Sequence, residues 1–114
     1  MKHLFALLVL FVACAQEKPQ IQLVEKKTFQ ELMTQEVQLI DVRTPSEYEG
    51  GYIGKARNIN YNATDFAEQV SKLNRDKPVL VYCAVGGRSA RAVKVFESLG
   101  FKTIYDLKGG YNAW

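Results

Sequence analysis

Cysteine and histidine are nearly absent from this chain of 114 residues, which carries only Cys14, Cys83 and His3. A metal centre built from clustered Cys and His ligands is therefore not expected. Two cysteines so far apart supply neither a disulfide framework nor the Cys-x-x-Cys pair that thiol-disulfide oxidoreductases use to resolve their mixed disulfides. Long apolar runs are also missing. The longest, residues 4–13, falls well short of the about 20 residues that a membrane-spanning helix requires. A net charge of +3 is mild and scattered, without the basic stripe and interleaved aromatics of a nucleic-acid surface, so nucleic acid is not an expected partner. The six Tyr, six Phe and one Trp fall mostly inside apolar segments and read as core. No internal repeat is visible, and the length suits a single domain.

The start of the chain differs in composition from the rest. Met1-Lys2-His3 precedes the apolar residues 4–13, and small Ala13 comes just before Cys14. A charged start, a short apolar stretch and a small residue before a cut site describe a signal peptide, expected over residues 1–13. Phe11-Val12-Ala13-Cys14 resembles a bacterial lipobox, which implies lipidation of Cys14 and export to the periplasmic side of a bacterial membrane. Residues 14–20 are polar, contain Pro19 and read as a tether; at about 3.5 Å per extended residue it would keep the domain, residues 21–114, near the membrane surface. Cys83 is then the one thiol left, without an internal disulfide partner in a compartment that favours disulfides.

Beyond the tether, strand and helix patterns alternate. Strands are expected at 21–24, 37–42, 56–60, 79–82 and 103–107. Thr28 with Glu31 three residues on reads as the capping box of a first helix, and Thr44-Pro45-Ser46-Glu47 as the start of a second with Pro at its first position. Residues 65–73 place Phe66, Val70 and Leu73 at helical spacing; Ala92, Val95, Phe96 and Leu99 make the apolar face of a last helix stopped by Gly100. The expected class is α/β: a mostly parallel sheet of about five strands with helices on both faces. Ligands bind beyond the carboxyl ends of such strands, and Asp41 and Cys83 both fall there, so both should project toward one rim.

Cys83-Ala84-Val85-Gly86-Gly87-Arg88-Ser89 lies between a buried-strand pattern and an amphipathic helix. Backbone N–H groups of such a loop, with the dipole of the helix behind it, favour an anion and lower the pKa of a thiol. Gly86 and Gly87 permit unusual backbone angles, and Arg88 adds a permanent charge. These residues predict a nucleophilic cysteine handling an anionic or soft electrophile, and leave the reaction open.

The segment resembles the Cys-x-x-Gly-x-Arg active loop of the rhodanese family, with Cys83, Gly86 and Arg88 in register. Asp41-Val42-Arg43, Glu47-Tyr48, Gly51-Tyr52-Ile53-Gly54, Ala56-Arg57-Asn58-Ile59 and Leu107-Lys108-Gly109-Gly110 with Trp114 resemble other parts of that family's pattern. The resemblance implies a rhodanese-like fold over essentially the whole chain after the tether. It also implies a sulfurtransferase in which Cys83 takes a sulfane sulfur from thiosulfate or a persulfide or polysulfide, holds it as a persulfide, and passes it to cyanide, a thiol or a protein cysteine. Ala84, Val85, Gly86, Gly87 and Arg88 would cradle the outer sulfur, with Arg88 helping to bind the donor anion. No cofactor or metal is implied beyond the covalent persulfide, and a monomer is expected. Asp41 and Arg43 either support the site or are structural, as a loop brace or an ion pair of Arg43 with Glu47; the structural reading is preferred. Tyr52 stands where the family often has His, and the loop carries little charge of its own, which disfavours thiosulfate as donor. A phosphatase-like reading meets the obstacle that its Cys-x5-Arg loop is one residue longer and that no loop residue can serve as general acid. The serious alternative is a non-catalytic binding or sulfur-relay module on the same fold.

Overall fold

A computed structural model describes residues 18–114. The expected signal peptide, the lipidation site Cys14 and tether residues 14–17 lie outside the described residues. Five strands, β1 (Gln20–Val24), β2 (Gln38–Asp41), β3 (Arg57–Asn58), β4 (Val79–Tyr82) and β5 (Thr103–Leu107), form one sheet in the order β1-β5-β4-β2-β3. Every pairing is parallel. Helices α1 (Lys26–Leu32), α2 (Pro45–Glu49), α3 (Phe66–Ser71) and α4 (Gly87–Ser98) and a closing 3-10 turn, Tyr111–Ala113, complete it. No helix among the described residues is long and apolar enough to cross a membrane.

Alternation along the central strand β4 divides the core. Val79 and Val81, with Cys83 beyond the strand end, pack against α3 and α4 through Val70, Ala92 and Phe96. Leu80 and Tyr82 face the other layer, where Phe29 of α1, Tyr48 of α2 and Tyr111 and Trp114 of the closing turn cover them. All four β4 residues are buried, as a parallel strand covered on both faces requires. Gly100 takes φ +88° and ends α4, and Thr44 caps α2 with the expected capping box.

Several boundaries differ from expectation. β1 begins one residue earlier, because the Gln20 N–H bonds to the Lys102 carbonyl at 2.8 Å and carries the ladder into the expected tether. Thr28 does not cap α1; the helix starts at Lys26 after Glu25, with no side-chain cap. The fully buried Phe29 must fold back under the sheet directly after β1, and its burial outweighs the about 1 kcal/mol that a cap contributes. β3 shrinks to two residues, although Ile59 and Tyr61 continue to donate their N–H groups to the Asp41 and Val42 carbonyls at 2.9 and 3.0 Å.

Candidate active site

β4 carries Cys83 to the carboxyl edge of the sheet, with its side chain turned toward α4 and only 1% exposed. Gly86 then reverses the chain at φ +121°, an angle that favours glycine, and α4 begins at once with Gly87, whose φ is not positive. The expected freedom of two glycines is thus needed at one. This tight reversal aims the Gly86 N–H at Cys83 Sγ, 3.0 Å away, at the positive end of a twelve-residue helix. Ser89, fully buried in the first turn of α4, places its Oγ 3.5 Å from Sγ and donates to the Gly86 carbonyl at 3.2 Å. Burial pushes the Cys83 thiol up, but the Ser89 hydroxyl and the backbone N–H groups of Ser89, Gly86 and Val85 outweigh it. The thiol therefore lies below its ordinary value.

The floor of the loop is fixed from the other layer. Tyr111 and Asn112 donate their N–H groups to the Cys83 and Ala84 carbonyls at 2.8 and 3.0 Å, which turns both carbonyls away from the sulfur. Gly110 makes this approach feasible: a Cβ there would lie 2.5 Å from the Cys83 carbonyl oxygen and 2.6 Å from that of Ala84. The far side of the loop is held by Arg88, whose two terminal nitrogens bind both Glu47 oxygens at 2.7 and 2.9 Å. Glu47 also completes the Thr44 capping box, so one carboxylate fastens α2 to the loop. The Arg88 hydrogen bonds, against the cost of burial and helped by Thr44, hold Glu47 down at about 2.

Asp41 and Arg43 do not join the sulfur. β2 and β4 end side by side, Asp41 opposite Tyr82, so Asp41 reaches the expected rim; its side chain, however, takes the Tyr82 face of the sheet and Cys83 the other. The expected ion pair of Arg43 with Glu47 is absent. Arg43 instead binds Asp41 with Nε and Nη2 at 3.0 and 2.7 Å and the Gly51 carbonyl at 2.6 Å, because Glu47 is already taken by Arg88. Its guanidinium lies 4.0 Å from the Tyr111 ring, and through that ring the pair supports the turn that binds the Cys83 carbonyl. Tyr52 is exposed and stacks on Tyr48 at 4.2 Å. A groove of about 540 Å³ beside β2, lined by Met33, Leu39, Gly54 and Arg57 among others, contains no loop residue. The candidate site is defined by the N–H groups that its loop turns toward the sulfur.

The chemistry-bearing loop, its glycine reversal and the arginine clamp occur in a parallel α/β sheet, and a model of the rhodanese-like domain matches residues 25–114. The chain belongs to the rhodanese-like family. It is 44% identical over 77 residues to YqhL of Bacillus subtilis, a match covering 68% of this chain and 60% of that protein. It is 31% identical over 96 residues to the thiosulfate sulfurtransferase GlpE of Pseudomonas aeruginosa strain PAO1, covering 76% of this chain and 84% of that one. Among solved structures, a rhodanese-related protein from Thermoplasma volcanium superposes with a TM-score of 0.72 at 33% identity, over 82% of this chain and 89% of the other. A rhodanese-like domain protein from Staphylococcus aureus gives 0.71 at 27%, over 83% and 90%. Family motifs exposed Cys83, Gly86 and Arg88 in the sequence. Ser89 escaped, since nothing local marks it as facing the sulfur.

Proposed function

We propose that this rhodanese-like protein is a sulfurtransferase that carries sulfane sulfur on Cys83. The observation that carries the reading is the Gly86 N–H at 3.0 Å from a sulfur whose thiol lies below its ordinary value. In the first step the Cys83 thiolate attacks the outer sulfur of the donor. The donor's sulfur–sulfur bond breaks and its leaving group departs with the electron pair, as a thiolate from a persulfide or as sulfite from thiosulfate. The transferred sulfur, one S–S bond of about 2.05 Å beyond the buried Sγ, lies nearer the loop mouth, where N–H groups of residues 84–88 stabilise its negative charge. A nucleophilic acceptor then attacks that outer sulfur, and Cys83 leaves as thiolate.

Donor choice follows from charge. Ala84, Val85 and Gly87 bring none, and Arg88 is committed to Glu47, so a doubly charged thiosulfate meets little compensation. A singly charged persulfide, or a polysulfide whose second charge sits at the far end of its sulfur chain, fits the loop better. Val85, 68% exposed at the mouth, offers an acceptor thiol or protein cysteine an apolar edge. In this reading Asp41 and Arg43 brace the loop and take no part in the transfer.

The same reading keeps residues 1–13 as a signal peptide and Cys14 as a lipid anchor on the periplasmic side of a bacterial membrane, supported by the apolar stretch 4–13 and the residues around Cys14. Intact mass of membrane-extracted protein tests it through loss of Met1 to Ala13 and a gain of acyl groups. Sulfur transfer is tested by mass after incubation with thiosulfate or with a polysulfide, followed by cyanide or a thiol. The expected adduct is about 32 Da, depends on Cys83, forms faster from the polysulfide and disappears with acceptor. No adduct from either donor, with Cys83 still alkylatable, refutes the enzyme and leaves a binding module.

A further inference from the structure

One buried ionisable group near the loop has no role in the transfer described above. Asp106 in β5 is 6% exposed, and its Oδ1 has no hydrogen-bond partner among the described residues. Its place in the sheet is defined by register: it lies beside Val81, and alternation turns it, like Ile104, toward the α4 layer that holds the Cys83 sulfur two residues beyond Val81. In that layer the hydroxyl of Ser89, which Cys83 Sγ meets at 3.5 Å, favours the ionised carboxylate against the effect of burial. An unpaired buried carboxyl is costly to retain, which calls for a reason.

We propose that Asp106 and Cys83 are coupled through the Ser89 hydroxyl and share one negative charge, so that Asp106 sets the pH at which Cys83 becomes a thiolate. When the thiol ionises by this route, the S–H bond breaks and its electron pair stays on sulfur. The proton passes to Ser89 Oγ while the Ser89 hydroxyl proton passes to the Asp106 carboxylate. Ser89 reaches either partner by rotation of its hydroxyl away from the Gly86 carbonyl. The charge moves from carboxylate to sulfur, and the pair avoids holding two buried charges at once. Asp106 is a positioning residue that acts through Ser89.

The titration tendencies agree with the geometry. Burial, only partly offset by the Ser89 hydroxyl, pushes Asp106 up to about 6, while the Cys83 thiol is brought down toward it. Other charged groups nearby are engaged elsewhere. On α4, Arg88 is paired with Glu47 and Arg91 lies over the Tyr61 ring; on β5's continuation, exposed Lys108 pairs with Glu25. β1 sets Leu23 beside Asp106 and β4 sets Val81 there, with Cys83 beyond the strand end on the same face and Tyr82 on the opposite one.

The inference rests on Cys83 as the nucleophile but is tested apart from sulfur transfer. In the full chain, alkylation of Cys83 by iodoacetamide is followed on its peptide by mass spectrometry between about pH 4.5 and 9.5. The wild type should rise in two steps, the lower near pH 6. Asp106→Asn should rise in one step and react roughly tenfold faster at pH 7, the equivalent of a fall of about one unit in the thiol's pKa. Ser89→Ala should also show one step, but react more slowly at pH 7 for want of the hydroxyl donor. A single step in the wild type, an Asp106→Asn profile that superposes on it, or a lower step that survives in Ser89→Ala overturns the proposal. If Asp106→Asn does not fold by circular dichroism, the wild type and Ser89→Ala decide. Coupling seen in a protein that takes no sulfur from any donor leaves this inference standing and removes the sulfurtransferase.

Discussion

Replacing Arg43 with Met removes one charge from a pair in which Asp41 is 0% and Arg43 4% exposed. Asp41 then keeps the Arg43 backbone N–H at 2.8 Å, but nothing neutralises its charge, and the Gly51 carbonyl loses its donor. Breaking a buried pair from one side costs about 3–5 kcal/mol. The total stability of a domain this size is about 5–15 kcal/mol, so this is a large fraction of it. At about 4–8 °C per kcal/mol, Tm falls by at least about 12 °C. Urea unfolding should show a lower midpoint with an unchanged slope. Adding Asp41→Asn to Arg43→Met removes the stranded charge and should recover most of the loss. Because the pair lies on the sheet face opposite Cys83, folded Arg43→Met should load sulfur within about twofold of wild type. A loss under about 1 kcal/mol, or a double variant no more stable than the single, refutes the energetic reasoning. A tenfold loss of loading in folded protein refutes the purely structural role.

Gly110→Ala should lower sulfur loading at least about tenfold and cost about 1–3 kcal/mol, because its Cβ would collide with the Cys83 and Ala84 carbonyls that the closing turn binds. Gly100→Ala is the control: its φ is also positive but the space is open, so it should lose stability and keep full loading in the same mass assay. Glu47 is held at about 2 in the fold against an ordinary 4.5, so its stabilisation is complete above pH 4.5 and is lost as the pH falls through about 2. Urea midpoints measured across that window should fall more steeply for wild type than for Glu47→Gln, and parallel curves would contradict the Arg88 clamp.

The features legible in the sequence were those that depend on near neighbours in the chain. Val79 to Tyr82 announced a buried strand, Thr44-Pro45-Ser46-Glu47 a capped helix, and the spacing of Cys83, Gly86 and Arg88 the loop. Partner choice was less legible. Arg43 and Glu47 lie one helical turn apart in number, but Arg43 lies at a bend before α2 begins, and its side chain folds back to the residue two before it. Glu47 was free to meet Arg88, 41 residues later, only because β2 and β4 are adjacent. Thr28 looked like a cap because its letters fit, and lost to the packing of Phe29. Asp106 had no local signal, since its facing depends on the register of β5 against β4.

That register explains how one residue can be held rigidly and still have its ionisation tuned. The backbone of Cys83 answers to one layer of the sheet: its carbonyl is bound by Tyr111, whose ring lies under the Arg43 guanidinium paired with Asp41. The side chain of Cys83 answers to the other layer, through Ser89 and the carboxyl beyond it. The two sets meet only at Cys83, one at its carbonyl and the other at its sulfur, and residues that do not touch one another contribute nearly additively. Combining Asp106→Asn with Arg43→Met should therefore add the altered pH profile of the first to the instability of the second, with neither effect changing the size of the other. A large non-additive term would mean that the closing turn and the Ser89 hydroxyl move together, and that the loop is not rigid between its two layers.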